Sequence, residues 1–253
     1  MSQSQRRWIF LAAIAGLAAF YLWGLAGLPG FGHYPGPYGF IINKIAVAQT
    51  KATGVVSAVN FSYRGFDTLG EEFILFAAAA GVSIVLRPLR GERERDSRAE
   101  QPDVSGPAPS PAVRQAALVF TGPVIVFGWW LASHAQTSPS GGFQGGVVLA
   151  TAFILIYLSG ALLLFRQVTP ADLTDAVEAA GAGGFAAIGV AALGLGLPFL
   201  YNYLPLGTRP GAVSSSGTIA LISFFVGIEV AAAFTLMAAE MLEQLLLTGD
   251  EAG

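Results

Sequence analysis

Glu229 stands in GTIALISFFVGIEVAAAFTLMAAEMLEQLLL, about a dozen residues into an otherwise apolar run. If that run is a helix across a bilayer, the acid lies near the midplane. An acid at that depth costs a few kcal/mol on insertion scales, so it faces protein or water rather than lipid. Two chemistries fit such a residue: a step in a proton or cation path, or a counter-charge for a basic residue on another subunit. Glu240 returns to within about 20° of the same helix face, and Glu243 follows one turn later. One stripe thus carries acids from mid-membrane to the membrane edge. Glu240 and Glu243 are equally explained as plain interfacial charges.

A second group of acids lies in NFSYRGFDTLGEEFILF. Thr68 and Glu71 have the spacing of a capping box, in which each side chain satisfies an exposed N–H of the first helical turn. Asp67, Glu72 and Arg64 are left over, and a charged cluster collects at one membrane face. It serves either as a cap alone or, through Asp67, Glu71 and Glu72, in ion handling. His33 and His134 have no second ligand at metal spacing, so they read as surface or interface histidines and no metal site is expected. TPADLTDAVEAAG places Pro170 at a helix start and Asp172, Asp175 and Glu178 on a solvated face. The chain has no phosphate loop, dinucleotide fingerprint, haem or quinone signature or nucleophile–base pair. No catalytic residue and no cofactor is therefore expected.

The elements that position these acids follow from hydropathy. The 253 residues are 54% hydrophobic and 11% charged, against about 25% charged in ordinary soluble domains. Mean hydropathy is +0.62. Apolar runs over about 8–28, 70–88, 114–133, 143–165, 180–200 and 216–240 approach or exceed the roughly 20 residues that cross a bilayer. They lack the alternation of a membrane barrel strand, so the fold class is all-α: a polytopic membrane protein of about six transmembrane helices. Residues 89–113, rich in charge and then in proline, read as a flexible linker. It divides a two-helix unit, 1–88, from a four-helix unit, 114–253.

Orientation follows from Lys and Arg near the span ends. With the N-terminus in the cytoplasm, Arg6, Arg7, Arg87, Arg90, Arg93, Arg95, Arg98, Arg114 and Arg166 fall inside, and Lys44, Lys51, Arg64 and Arg209 outside. Both termini are thus expected to be cytoplasmic. Segment 29–69 is then external, with apolar stretches that lie in the interface or pack on a neighbour. The paired arginines before the first run suggest a twin-arginine export signal. Five further apolar spans make poor cargo for that route, and no small-x-small site closes the run, so a retained first helix is expected. The chain has no cysteine, which excludes disulfides, thiolate metal sites and cysteine nucleophiles; its net charge of −3 argues against a nucleic-acid partner.

SPSGGFQGG, residues 138–146, opens the fourth span with four glycines in six positions. Gly141 with Gly145, and Gly142 with Gly146, make overlapping small-xxx-small pairs, leaving a groove where a helix backbone can approach closely. Glycines at 181, 183, 184, 189, 194 and 196 thin the fifth span in the same way.

Two stretches carry a family resemblance. VVSAVNFSYRGFDTLGEEFILFAAAAGVSIVLR resembles the two-helix segment at the C-terminal end of the large A-type chain of Mrp (multiple resistance and pH) cation/proton antiporters. The same segment forms the small MbhE-type subunit of Mrp-like membrane-bound hydrogenases. Arg64, Phe66, Asp67, Thr68, Gly70 and Glu71 match the pattern, with Asn60 near its usual asparagine. SHAQTSPSGGFQGGVVLATAFILIYLSG is similar to the MnhB/MrpB family through His134, Pro139, Gly141, Gly142, Phe143, Gln144, Gly145 and Gly146. In this chain His134 and Pro139 stand two residues further apart than usual, and Ser140 replaces the first glycine.

Together the resemblances cover roughly 55–88 and 114–247 and imply a fusion of two commonly separate parts. They imply a multi-pass subunit of a prokaryotic cell membrane, partnered by other subunits of an Mrp-type hetero-oligomer and by the bilayer. It would help to build a path for Na⁺, H⁺ or both and bind no redox cofactor of its own. The complex is a stand-alone antiporter, or a redox-driven relative of respiratory complex I, or one in which this chain is mainly a scaffold. The family's last helix often carries an acid about where Phe225 stands, and Glu229 lies one turn on.

Overall fold

The computed structural model describes residues 3–28, 30, 32, 36–86, 109–137 and 139–249. Within them the backbone is helical throughout, apart from turns and one isolated bridge between Leu206 and Ser216. In a bilayer each backbone polar group needs an internal partner, which a helix supplies within its own segment.

The first compact unit, residues 1–41, contains α1 (Gln3–Ala26), whose side chains from 11 to 28 are exposed on every side. All other elements fall in the second unit, 42–253, apart from the start of α2 (Tyr38–Thr50). That helix buries Ile42, Ala46 and Thr50, which repeat every four residues on one face. Next come α3 (Val55–Ala58), a π-helical turn over Val59–Tyr63, and α4 (Gly65–Leu86). Beyond the linker, α5 (Pro111–Ser133) begins with Ser110 accepting from the Val113 N–H and with proline in its first turn. Then follow α6 (Gly142–Leu158), α7 (Leu162–Val168), α8 (Ala171–Gly194) and α9 (Thr218–Gly249).

Among the described residues, four helices are long and apolar enough to cross a membrane: α4, α5, α8 and Thr218–Leu242 of α9. Leu11–Ala26 and α6 are apolar over shorter stretches. The chain is an all-α membrane protein. The span expected at 143–165 is broken, because Gly160 takes φ +77° between α6 and α7. This left-handed conformation ends a helix at little cost only in glycine.

The centre of the second unit is α9, buried over 61% of its apolar window against 17–39% for the other three spans. It packs against α4, α5, α6 and α8, while α5 also packs on α6. The glycines of α6 serve two neighbours. A Cβ on Gly146 would lie 2.6 Å from Val230 Cβ of α9, and one on Gly142 would overlap the Ser223 carbonyl of the same helix. One on Gly145 would lie 2.6 Å from the Ala132 nitrogen of α5. Gly141 is the N-cap of α6, where an added Cβ would meet only the Gln144 side chain.

One end of this unit is capped by loops tied together with hydrogen bonds. The Gly54 N–H donates to the Gln136 carbonyl, Gln136 Nε2 to the Val213 carbonyl, and the Gly211 N–H to the Lys51 carbonyl. Asn202 caps α9 from a distance, its Oδ1 accepting from the Thr218 N–H at 2.7 Å. The α5 and α8 helices end here; α4, α6 and α9 begin here.

One expectation about the start of α4 needs correction. The capping box at Thr68–Glu71 does not form, because α4 starts at Gly65 and leaves Thr68 buried beyond the first turn. Asp67 is the first-turn acid instead, paired with Arg64 at 2.5 Å. Of the linker, residues 89–108 lie outside the described residues, as does His33.

Candidate functional site

Glu229 of α9, Glu72 of α4 and Glu178 of α8 are 0%, 2% and 3% exposed. Three packed helices thus each contribute a buried acid to this region, and α9 buries a further one, Glu240, beyond it. Neither carboxylate oxygen of Glu229 has a hydrogen-bond partner, nor has Oε2 of Glu72. The three helices contain no lysine or arginine along their whole length.

Packing at the backbone level brings these groups together. Gly181, one turn beyond Glu178, lies directly against Glu229: an added Cβ would come 2.7 Å from its nitrogen and 2.8 Å from its Cα. The α8 and α9 helices therefore touch where both carry an acid. One turn away Gly184 makes room for the ring of Phe225, so the position that often holds an acid in the resembling family is filled by an aromatic side chain. Leu69, one turn before Glu72, joins the cluster containing Val226 and Val230, while Ala79 packs with Ala233 and Leu236. These contacts fix the face of α4 that bears Glu72.

The acids occupy successive depths. At 1.5 Å per residue, Glu72 lies about 10 Å and Glu229 about 16 Å from the loop-capped end of its helix. Glu178 lies about 10 Å from the start of α8 at the opposite end. Three acids in a low-dielectric interior without a helix-borne base cannot all be charged unless cations accompany them. Such a group holds a proton or a small cation, in turn or together. Among the described residues, no three His, Cys, Asp or Glu side chains are grouped so as to hold a metal ion.

The structure redistributes the sequence candidates. Glu72 and Glu229 are both buried, on two helices that pack together, whereas Asp67 and Glu71 are exposed on the outside of this chain. Glu240 is buried further along α9; the side chain of Glu243 lies outside the described residues. Glu178 does not belong to a solvated face. The sequence signal for it was helical period: with Gly181, Ala182, Phe185, Ile188 and Ala192 it completes the buried stripe of α8. Asp172, off that stripe, is exposed. His134 caps the end of α5 and stacks on Trp130 at 5.0 Å. A cavity of about 260 Å³ between α5, α6, α8 and α9 has an almost wholly apolar lining, and none of the acids contributes to it.

Comparison with known proteins bears on both halves of the chain. Residues 112–236 match the family model described as a domain related to the MnhB subunit of Na⁺/H⁺ antiporter. An uncharacterised protein of Methanocaldococcus jannaschii is 27% identical over 210 residues, covering 76% of this chain and 78% of that protein. A probable A/B subunit of a K⁺/H⁺ antiporter from Rhizobium meliloti is 28% identical over 131 residues; that match spans 46% of this chain and only 13% of the relative. Among solved structures, a chain of the membrane-bound sulfane sulfur reductase, an archaeal respiratory membrane complex, is similar with a TM-score of 0.70 and 27% identity. It is matched over 98% of its length and 94% of this chain. A chain of the Mrp complex from Dietzia sp. shares the fold at a TM-score of 0.65 and 19% identity, over 95% of this chain and 26% of that one. Residues 112–236, just under half of the chain, carry a domain related to the MnhB subunit of Na⁺/H⁺ antiporter, and the chain as a whole is similar to subunits of multi-subunit membrane complexes.

Proposed function

We propose that this chain is a membrane subunit of a multi-subunit cation/proton antiporter module, in which Glu72, Glu229 and Glu178 form a stretch of the ion path. The observation that carries this reading is Glu229, wholly buried, without a hydrogen-bond partner, and pressed against α8 one turn from the buried Glu178. A buried acid so placed is too costly to persist as packing alone. The family match and the Rhizobium relative name Na⁺/H⁺ and K⁺/H⁺ antiporters, so the cargo proposed is a monovalent cation exchanged for protons. Glu240 extends the same stripe towards the opposite end of α9. Residues 1–88 act as an MbhE-like unit fused through 89–113 to an MnhB-like unit at 114–253; the A/B designation of the Rhizobium relative supports the fusion. The complex lies in a prokaryotic cell membrane, with both termini cytoplasmic and the loop-capped end outside.

A second reading places the same subunit in a redox-driven complex. The likeness over 98% of a chain of the sulfane sulfur reductase favours it. Purification of the tagged chain in mild detergent, followed by identification of its partners, separates the two. In either complex, Glu229→Gln is expected to impair cation-coupled proton movement while assembly is kept. Wild-type transport by an assembled Glu229→Gln complex removes this acid from the mechanism.

A further inference from the structure

At the loop-capped end, a cavity of about 530 Å³ is lined by Gln49, Thr50, Ser62, Tyr63, Tyr201 and Asn202, with Leu206 as its one aliphatic wall. The six polar side chains offer hydroxyls and amides, and no charged side chain is among them. The volume accommodates a small ion with its first shell of water, at about 30 Å³ per water. Tyr63 donates to Gln49 Oε1 at 2.6 Å, which joins the π-helical turn to the end of α2. Asn202 and Thr50 are held through their own caps, Asn202 on Thr218 and Thr50 on the Ala46 carbonyl.

Three irregular pieces of backbone meet around this bowl. The π-helical turn supplies Ser62 and Tyr63. Lys51, which follows Thr50, has φ +57°, and Leu200, which precedes Tyr201, has φ +62°. Left-handed conformations in such residues are strained and persist where the surroundings over-determine them, often at functional sites; π-turns cluster there too. The side chains next to the bowl form an apolar layer. Phe61 and Leu200 are buried in one cluster, and Phe61 meets Phe185 edge-on at 6.3 Å. Leu69 and Val226, each one turn closer to the capped end than Glu72 and Glu229, belong to the same cluster. The cluster continues past Glu229 to Val230, but its Phe61, Phe185 and Leu200 part lies on the bowl's side of the buried carboxylates.

We propose that this bowl is the outer vestibule from which a hydrated monovalent cation approaches the buried carboxylates, with the Phe61–Phe185–Leu200 layer as the barrier between them. The proposal rests on the ion-path reading of those carboxylates. Uncharged oxygens suit this role, because they replace water around a cation without holding it as tightly as a carboxylate would, so the ion exchanges.

The chain contains no cysteine, so an introduced one is its single thiol, and the complex with the unsubstituted chain, labelled in parallel, gives the background from the partner subunits. Ser62→Cys places a thiol in the bowl and Gln49→Cys one on its rim from a different helix. Val213→Cys, on an exposed loop at the same end, is the control. Each is tested in the assembled complex in sealed vesicles of known sidedness, using the membrane-impermeant cationic thiol reagent 2-(trimethylammonium)ethyl methanethiosulfonate. Both bowl thiols are expected to react from the outer face, and their modification to abolish cation/proton exchange. Replacing choline by Na⁺ or K⁺ at half-occupancy of the bowl is expected to slow labelling of Ser62→Cys about twofold and leave Val213→Cys unchanged. Should Ser62→Cys fail to assemble, Gln49→Cys carries the test. Complete labelling with wild-type exchange overturns the vestibule, and so does labelling that permeant reagents achieve and the impermeant one does not. Glu229→Gln in the same vesicles keeps the two readings apart. If it blocks exchange while the labelled bowl does not, the ion path stands and the vestibule falls. Wild-type exchange in Glu229→Gln defeats the ion path itself.

Discussion

The close approach of α8 to α9 at the acids gives a prediction that can be worked to a magnitude. In Gly181→Ala the new Cβ would lie 2.5 Å from Glu229 Cβ, 2.7 Å from its nitrogen and 2.8 Å from its Cα. Ordinary contacts begin near 3.4 Å, and two of these three atoms are backbone, so α9 must move rather than a rotamer. Overpacking of this kind costs about 1–3 kcal/mol. Alanine also gains about 1 kcal/mol of helix propensity over glycine, which partly hides that cost in a single variant. Gly183→Ala provides the correction: it lies on the same helix, two residues away, and nothing in this chain stands within 4 Å of its added Cβ. The propensity gain is common to both, so the difference between them reads the overpacking alone. At roughly 2–4 °C per kcal/mol for a chain of this size, Gly181→Ala should melt about 2–12 °C below Gly183→Ala. Fluorescence-detected melting of the purified complex measures this difference. Exchange should also fall in Gly181→Ala, because the displaced segment carries Glu229. Equal melting temperatures for the two variants would refute the backbone contact and, with it, the positioning of Glu229 against Glu178.

The remaining predictions follow the same geometry. Glu178→Gln is expected to impair exchange as Glu229→Gln does, whereas Asp172→Asn, exposed on the same helix, leaves it at the wild-type rate; ion-flux assays in vesicles compare them. Gly146→Ala, whose Cβ would press on Val230 at 2.6 Å and on the Gly227 carbonyl at 2.8 Å, should destabilise by about 1–3 kcal/mol. Gly141→Ala, in extended backbone and opposed only by a movable glutamine, should be tolerated; melting of the pair decides it. Arg64→Ala breaks an ion pair whose side chains are 61% and 50% exposed, so it should cost no more than about 1 kcal/mol, less at high salt. A larger, salt-independent loss in that variant would show that the pair is covered in the complex.

Much of this molecule is legible in one dimension because a bilayer makes it so. Each span must satisfy its own backbone and present apolar side chains to lipid, and both demands are local. The apolar runs therefore mark the helices, and an acid within one, such as Glu229, stands out without any knowledge of its neighbours. The glycines of SPSGGFQGG similarly announce close packing, since only contact with another backbone explains their cost in a helix. What the sequence left open concerned faces and ends. Glu71 and Glu72 are adjacent in the chain, yet one is exposed and the other buried, because a 100° step turns them to different sides of α4. The start of α4 at Gly65, and hence the loss of the expected cap at Thr68, depends on the π-helical turn before it. Hydropathy also runs straight through Gly160, whose positive φ ends α6.

By itself, then, the sequence determined that this chain is a helical membrane protein with an MnhB-related domain and an acid deep in its last span. Only the tertiary structure decided which acids are buried and which of their helices pack together. Glu178 lies on a helix whose Gly181 touches the backbone of Glu229, and Glu72 is buried because Leu69 and Ala79 seat α4 on α9. Helical period tells which side chains share a face, but the neighbour that face meets is fixed by packing between segments remote in the chain, and that information is not local.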